Sequence, residues 1–196
     1  GGANSATGTI TDSDAAPSFS IGDASVTESG LMTFTVTRTG DAQASQTVDY
    51  ATSIGGSAEV GDFTAASGTL TFVSGETSKT FTVQTTADTV YEGAETFTAT
   101  LTNATGDATI SDATAVGTIT DDDLATGLTA TIVATDASAV EDGTTDTLTY
   151  TVSLAGESEY DTTITYQVSG AATEDDDYPT IVTKTVTIPA GDTSAT

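Results

Sequence analysis

The chain has 196 residues, 36% of them hydrophobic, with no Cys, His or Trp. Its 29 acids face three bases, Arg38, Lys79 and Lys184, for a formal net charge of −26. That balance excludes nucleic acid and anionic membrane surfaces as partners, since both require clustered Lys and Arg, and the missing His and Cys remove the commonest general base, disulfides and the usual zinc ligands.

Residues 1–14 read as the tail of a repeat. Gly8-Thr9-Ile10-Thr11-Asp12-Ser13-Asp14 returns as Gly117-Thr118-Ile119-Thr120-Asp121-Asp122-Asp123, an offset of 117 − 8 = 109 residues. A period that long means whole domains in series. Between the two copies, apolar residues alternate with Thr at period two, the mark of half-buried strands. The expected strands are A (18–27), B (31–39), C (46–53), D (68–73), E (78–84), F (95–102) and G (114–120). In strand A the parity changes at Gly22-Asp23, which predicts a bulge or a switch between sheets. Seven strands separated by turn signals predict an all-β fold: an antiparallel, immunoglobulin-like β-sandwich with Greek-key connections.

The repeat continues downstream. Asp23-Ala24-Ser25 returns as Asp136-Ala137-Ser138, and Ser74-Gly75-Glu76-Thr77 as Ala190-Gly191-Asp192-Thr193. The domain reading is therefore a tail at 1–14, a complete sandwich at 15–123 and a second repeat at 124–196. The second repeat is expected to hold strands A (128–140), B (147–154), C (163–168) and D (181–188) only. Position 196 corresponds to about position 80 of the first copy, so the chain reads as a window on a longer array. Residues 128–196 are expected to be the less stable part. No stretch approaches 18 consecutive apolar residues, so no membrane insertion is expected.

Alternating strand directions gather the acids unevenly. The A–B, C–D and E–F loops and the end of strand G share one pole. That pole collects Glu28, Glu59, Asp62, Asp88, Glu92, Glu95, Asp121, Asp122 and Asp123, against Asp41, Glu76, Asp107 and Asp112 at the other. Two carboxylates about 4 Å apart repel by about 4 kcal/mol at an effective dielectric of about 20. Several such pairs rival the stability of a small domain, about 5–15 kcal/mol. A hard divalent cation would answer the charge, and Ca2+ suits irregular, all-oxygen loops best. Acidity spread over the surface as a halophilic adaptation is the competing account, and it predicts acids at both poles alike.

Glu28, Gly61-Asp62-Phe63, the segment from Asp88 through Glu92 and Glu95 to Phe97, and Gly117-Thr118-Ile119-Thr120-Asp121-Asp122-Asp123 together resemble the Calx-beta domain of sodium/calcium exchangers and large bacterial surface proteins. The resemblance covers 17–123 fully and 128–196 in part. It implies an immunoglobulin-like sandwich binding several Ca2+ ions at one pole, with Glu28, Asp62, Asp88, Glu92, Glu95, Asp121, Asp122 and Asp123 as ligands. One departure stands out: Ala87-Asp88 occupies the place of two adjacent aspartates, so one carboxylate is lost. In the second repeat Glu141 and Asp177 match, with Asp175 and Asp176 adding charge.

These readings converge on the expectation of a calcium-binding extender segment of a large bacterial cell-surface or secreted, extracellular adhesion-type protein. Its expected partners are calcium ions and neighbouring repeats, with surface or host ligands reached through other domains. A glycan- or protein-recognition module is the alternative, which the low aromatic content disfavours. Carboxylate pairs can hydrolyse glycosides, but no enzyme is expected where the acids lie where a cation would quench them.

Overall fold

The structure is a computed structural model and describes residues 4, 7–9, 11, 13–123, 128–138, 147–169 and 184–196. Asp12, Glu141 and Asp175 to Asp177 lie outside the described residues. Every regular element among the described residues is a β-strand. The chain forms two compact units, Gly1–Thr86 with Thr96–Ile119, and Ala87–Glu95 with Thr120–Thr196.

The first unit is built from β1 (Ser18–Ile21), β2 (Ala24–Thr27), β3 (Leu31–Thr39), β4 (Gln46–Ser53), β5 (Ser67–Phe72), β6 (Ser78–Gln84), β8 (Glu95–Thr102), β9 (Thr109–Asp112) and β10 (Thr114–Thr120). Strands β8 and β10 each lend one terminal residue to the second unit. Two sheets form, with strand orders β6-β3-β1-β9 and β2-β10-β8-β4-β5. Strands B, C, E, F and G take the expected bounds, and D shifts by one residue. Strand A divides where its parity changes: β1 joins the first sheet and β2 the second. The switch is stitched in place by the Gly22 N–H donating to the Thr35 carbonyl and the Val116 N–H donating to Asp23 Oδ1.

Strand β9 adds to the expected set. It runs parallel to β1, with a register shift between Phe19 and Ser20. Only half-buried Ile110 gives it an apolar signal, so period-two counting passes over it.

The period-two rows bury one face of each strand. β3 buries Met32, Phe34, Val36 and Arg38, and β8 buries Glu95, Phe97, Ala99 and Leu101. The core between the sheets is tied by ring contacts. Phe34 stacks on Phe81 at 5.2 Å, Tyr50 on Phe81 at 4.0 Å and Phe63 on Phe97 at 4.0 Å. Gly117 makes room for this: a Cβ there would meet Phe97 Cζ at 2.5 Å and Met32 Sδ at 2.9 Å.

The second unit holds β7 (Val90–Tyr91), β11 (Ala130–Asp136), β12 (Thr149–Leu154), β13 (Glu157–Ser158), β14 (Thr162–Thr165), β15 (Thr185–Ile188) and β16 (Ser194–Ala195). The sheets are β11-β12-β16, β14-β15 and the parallel pair β13-β7. Strands A to D of the second repeat appear as β11, β12, β14 and β15. β16 is added, pairing antiparallel to β12 through Val152↔Ala195 and Ser153↔Ser194, as β6 pairs with β3 in the first repeat. Its core is small: Val152, Leu154 and Ile188 are buried, while every residue of β11 is exposed.

Candidate functional site

In the first unit, Glu28 and Asp62 sit on backbone fixed by the exit of β6. The Gln84 side chain donates to the carbonyls of Ser29 and Gly30. Thr85, buried, donates its N–H and its hydroxyl to the Gly30 carbonyl. Gly30 is required by close approach, since a Cβ would meet Val26 Cγ2 at 2.3 Å. These bonds pin the turn that carries Glu28, itself 8% exposed. On the other side, the Thr64 N–H donates to the Gln84 carbonyl and the Thr86 N–H to the Asp62 carbonyl. The Asp62 carboxylate takes the Glu59 N–H, closing the turn.

In the second unit, the segment 87–95 and the residues after β10 are tied by one side chain. Asp121 Oδ2 accepts the N–H groups of Glu92 and Gly93 at 3.0 and 2.9 Å. Asp121 Oδ1 accepts the N–H of Asp123 at 2.7 Å. Three backbone donors on one carboxylate make Asp121 a clasp. Gly93 bends the loop here with φ +85°, a conformation that costs glycine little. Asp88 forms a tight turn of its own, its Oδ1 accepting the Val90 N–H at 2.8 Å.

Within this unit the ligand-type oxygens gather in two pairs. Asp88 and Asp123 bring one carboxylate oxygen each to within 4.8 Å of the other, and Glu92 and Glu95 do the same. Glu95 is buried, 5% exposed, at the inward-facing start of β8. Asp122 is exposed and belongs to neither pair. Asp123 Oδ2 is buried and has no hydrogen-bond partner among the described residues. Burial first, then the charges of Asp121, Asp122 and Asp88, raise its carboxyl above the usual aspartate range. A carboxylate oxygen shielded from water and left without a donor is costly unless a cation meets it.

No base lies in 87–95 or 120–123. In the first unit Arg38 and Lys79 are spent elsewhere: Arg38 on the carbonyls of Val73, Glu76, Ala42 and Ala44, Lys79 on Glu76 at 3.0 Å. The donors are all oxygen, drawn from irregular loops, which fits Ca2+ better than a small octahedral ion. Sequence reading took Asp121 for a ligand and missed its clasp role; Arg38 it read only as a base. The signal for Arg38 was present, since it continues the inward row Met32, Phe34 and Val36.

The model of the Calx-beta domain family matches residues 12–123. Among solved structures, the apo form of the Calx CBD1 domain is 26% identical, with a TM-score of 0.52, covering 56% of this chain and 100% of that one. CBD12 from CALX1.2 is 22% identical, with a TM-score of 0.53, covering 90% of this chain and 73% of that one. The calcium binding domain CBD12 of CALX1.1 is 22% identical, with a TM-score of 0.52 and coverage of 90% and 72%. At that identity these last two show likeness of fold alone. No curated protein matches the sequence.

Proposed function

The chain belongs to the Calx-beta family, and we propose that it is a calcium-binding structural repeat whose ions order the acidic loops and the junction between successive repeats. The proposed ligands are Glu28 and Asp62 in the first unit, and in the second the pair Asp88 and Asp123 and the pair Glu92 and Glu95. Asp121 contributes by holding the backbone of Glu92 and Gly93, and Asp122 by its charge. The observation that carries this reading is the Asp123 carboxylate: one oxygen is buried without a donor, among acids and with no base in its segment. A divalent cation supplies the missing charge.

The wider setting is part of the same proposal. The 109-residue period and the acidic surface suit an extracellular extender of a cell-surface or adhesion-type protein. Its role is to hold spacing and stiffness, without catalysis. The 1:1 or 2:1 binding of calcium to the EDTA-treated chain, followed by titration calorimetry with magnesium as comparison, tests the central claim. Saturable calcium binding that magnesium does not match is the expected result. No heat and no change in melting temperature up to millimolar calcium would overturn it.

A further inference from the structure

The loop that carries Asp88, Glu92 and Glu95 does not close on itself. Its strand β7 runs parallel to β13 of the second repeat, with Val90 opposite Glu157 and Tyr91 opposite Ser158. The Glu159 N–H donates to the Tyr91 carbonyl at 3.0 Å. The Tyr160 hydroxyl donates to the Glu92 carbonyl at 2.5 Å. The Tyr160 ring meets Tyr91 edge-on, with centroids 6.2 Å apart.

The turn that offers these contacts is braced from behind. Ser158 is 3% exposed. Its Oγ accepts the Tyr160 N–H at 3.1 Å and its carbonyl accepts the Gly191 N–H at 2.9 Å. Asp161 Oδ1 accepts the Ala190 N–H at 3.0 Å. Tyr160 is thus held by its own repeat and grips the carbonyl of a residue in the acidic loop.

We propose that the 155–161 turn of the second repeat is the platform on which the 88–95 loop of the first is set, and that Tyr160 is its positioning residue. By fixing the Glu92 carbonyl, Tyr160 limits the backbone freedom of a loop whose two glutamates must converge on one ion, so less ordering remains to be done when the ion binds. Glu157 and Glu159 arrive beside the loop with the platform, and Asp123 and Glu157 line the same shallow groove. Their repulsion weakens docking until a cation is present, so docking and ion binding strengthen each other reciprocally. This inference rests on the calcium reading above.

The test compares the full chain with Tyr160→Phe and, as control, Tyr150→Phe on β12. Tyr160 is 53% exposed and Tyr150 47%, so loss of either hydroxyl leaves the fold intact. Calcium affinity is read by calorimetry, and the exchange rate of the Glu159 amide by NMR in the presence of chelator. Tyr160→Phe is expected to weaken calcium binding by about threefold to tenfold, the range of one neutral hydrogen bond, and to speed Glu159 exchange, while Tyr150→Phe changes neither. Faster exchange with unchanged affinity would overturn the positioning role, and no change in either readout would overturn the platform itself. If the parent chain binds no calcium, the calcium reading fails on its own, and the Glu159 exchange rate still decides whether the platform exists.

Discussion

Arg38 offers the sharpest test of how the first repeat is held together. It is 1% exposed, yet it faces no carboxylate within hydrogen-bonding distance among the described residues. Nε donates to the Glu76 carbonyl at 2.8 Å, Nη1 to the Ala44 carbonyl at 2.9 Å and to Gln46 Oε1, and Nη2 to the carbonyls of Val73 at 2.9 Å and Ala42 at 3.3 Å. One side chain therefore ties the 41–46 loop to the 73–76 turn, with the guanidinium 5.6 Å above the Phe72 ring. Arg38→Met keeps the apolar stem and removes every donor. At about 1 kcal/mol net per bond, less the relief of no longer burying a charge, the loss comes to about 3–4 kcal/mol. For a domain of this size that lowers the melting temperature by about 12–16 °C. Urea unfolding followed by far-UV circular dichroism measures it, since the chain has no Trp to report by fluorescence. A loss below about 1 kcal/mol would refute the view that the guanidinium organises these two loops. Arg38→Lys should recover only part of the loss, because one ammonium cannot span four carbonyls in two segments.

Gly117→Ala should cost about 1–3 kcal/mol by overpacking against Phe97 and Met32, read in the same urea experiment. Asp123→Asn should act with opposite signs in two buffers. The carboxyl is raised in the folded chain, so without calcium the stability it affects falls as pH rises from the unfolded value of 3.8 through the raised native one. Removing the charge should then raise the melting temperature at pH 7 in chelator and shrink the increment calcium adds. Glu76 runs the other way: the Val73 N–H first, then Lys79, lower its carboxyl. Its contribution is present above its unfolded value of 4.5 and lost as pH falls through the lower native one. Glu76→Gln should flatten that part of the acid limb in melting curves between pH 2 and 6. Amide exchange should be faster across 128–196 than across 17–123, because the described residues bury three core side chains in the one and fifteen in the other. Equal protection would contradict the packing argument.

Much of the sandwich is legible in the chain because Thr alternates so regularly with apolar residues. Strands B, C, E, F and G end where the alternation ends, and the parity slip at Gly22-Asp23 marks the change of sheet. Two kinds of element escape. β9 is a polar strand held by a long-range parallel pairing. β7 and β13 are two residues each, and their pairing joins segments 67 residues apart, such as Val90 and Glu157. Neither has a period to detect, because its stability comes from the partner backbone and not from a row of apolar side chains.

Three of the acids at the strand ends follow the same parity rule. Glu28 follows Ala24 and Val26 on the half-buried parity of β2, and Glu95 precedes Phe97, Ala99 and Leu101 on the buried face of β8. Asp121 follows Ala115, Gly117 and Ile119 on the buried row of β10. Each carboxylate therefore stands where the core row of its strand would place the next apolar side chain. Asp49 takes the other parity from buried Val48 and accepts hydrogen bonds from Thr69 and Asn103. Acids recruited for solubility alone have no reason to continue buried rows, where water reaches them least. Carboxylates that do so lie partly or fully buried at the strand ends, a placement that the proposed cation site would account for. The surface-adaptation account explains the total of 29 acids, but not this placement.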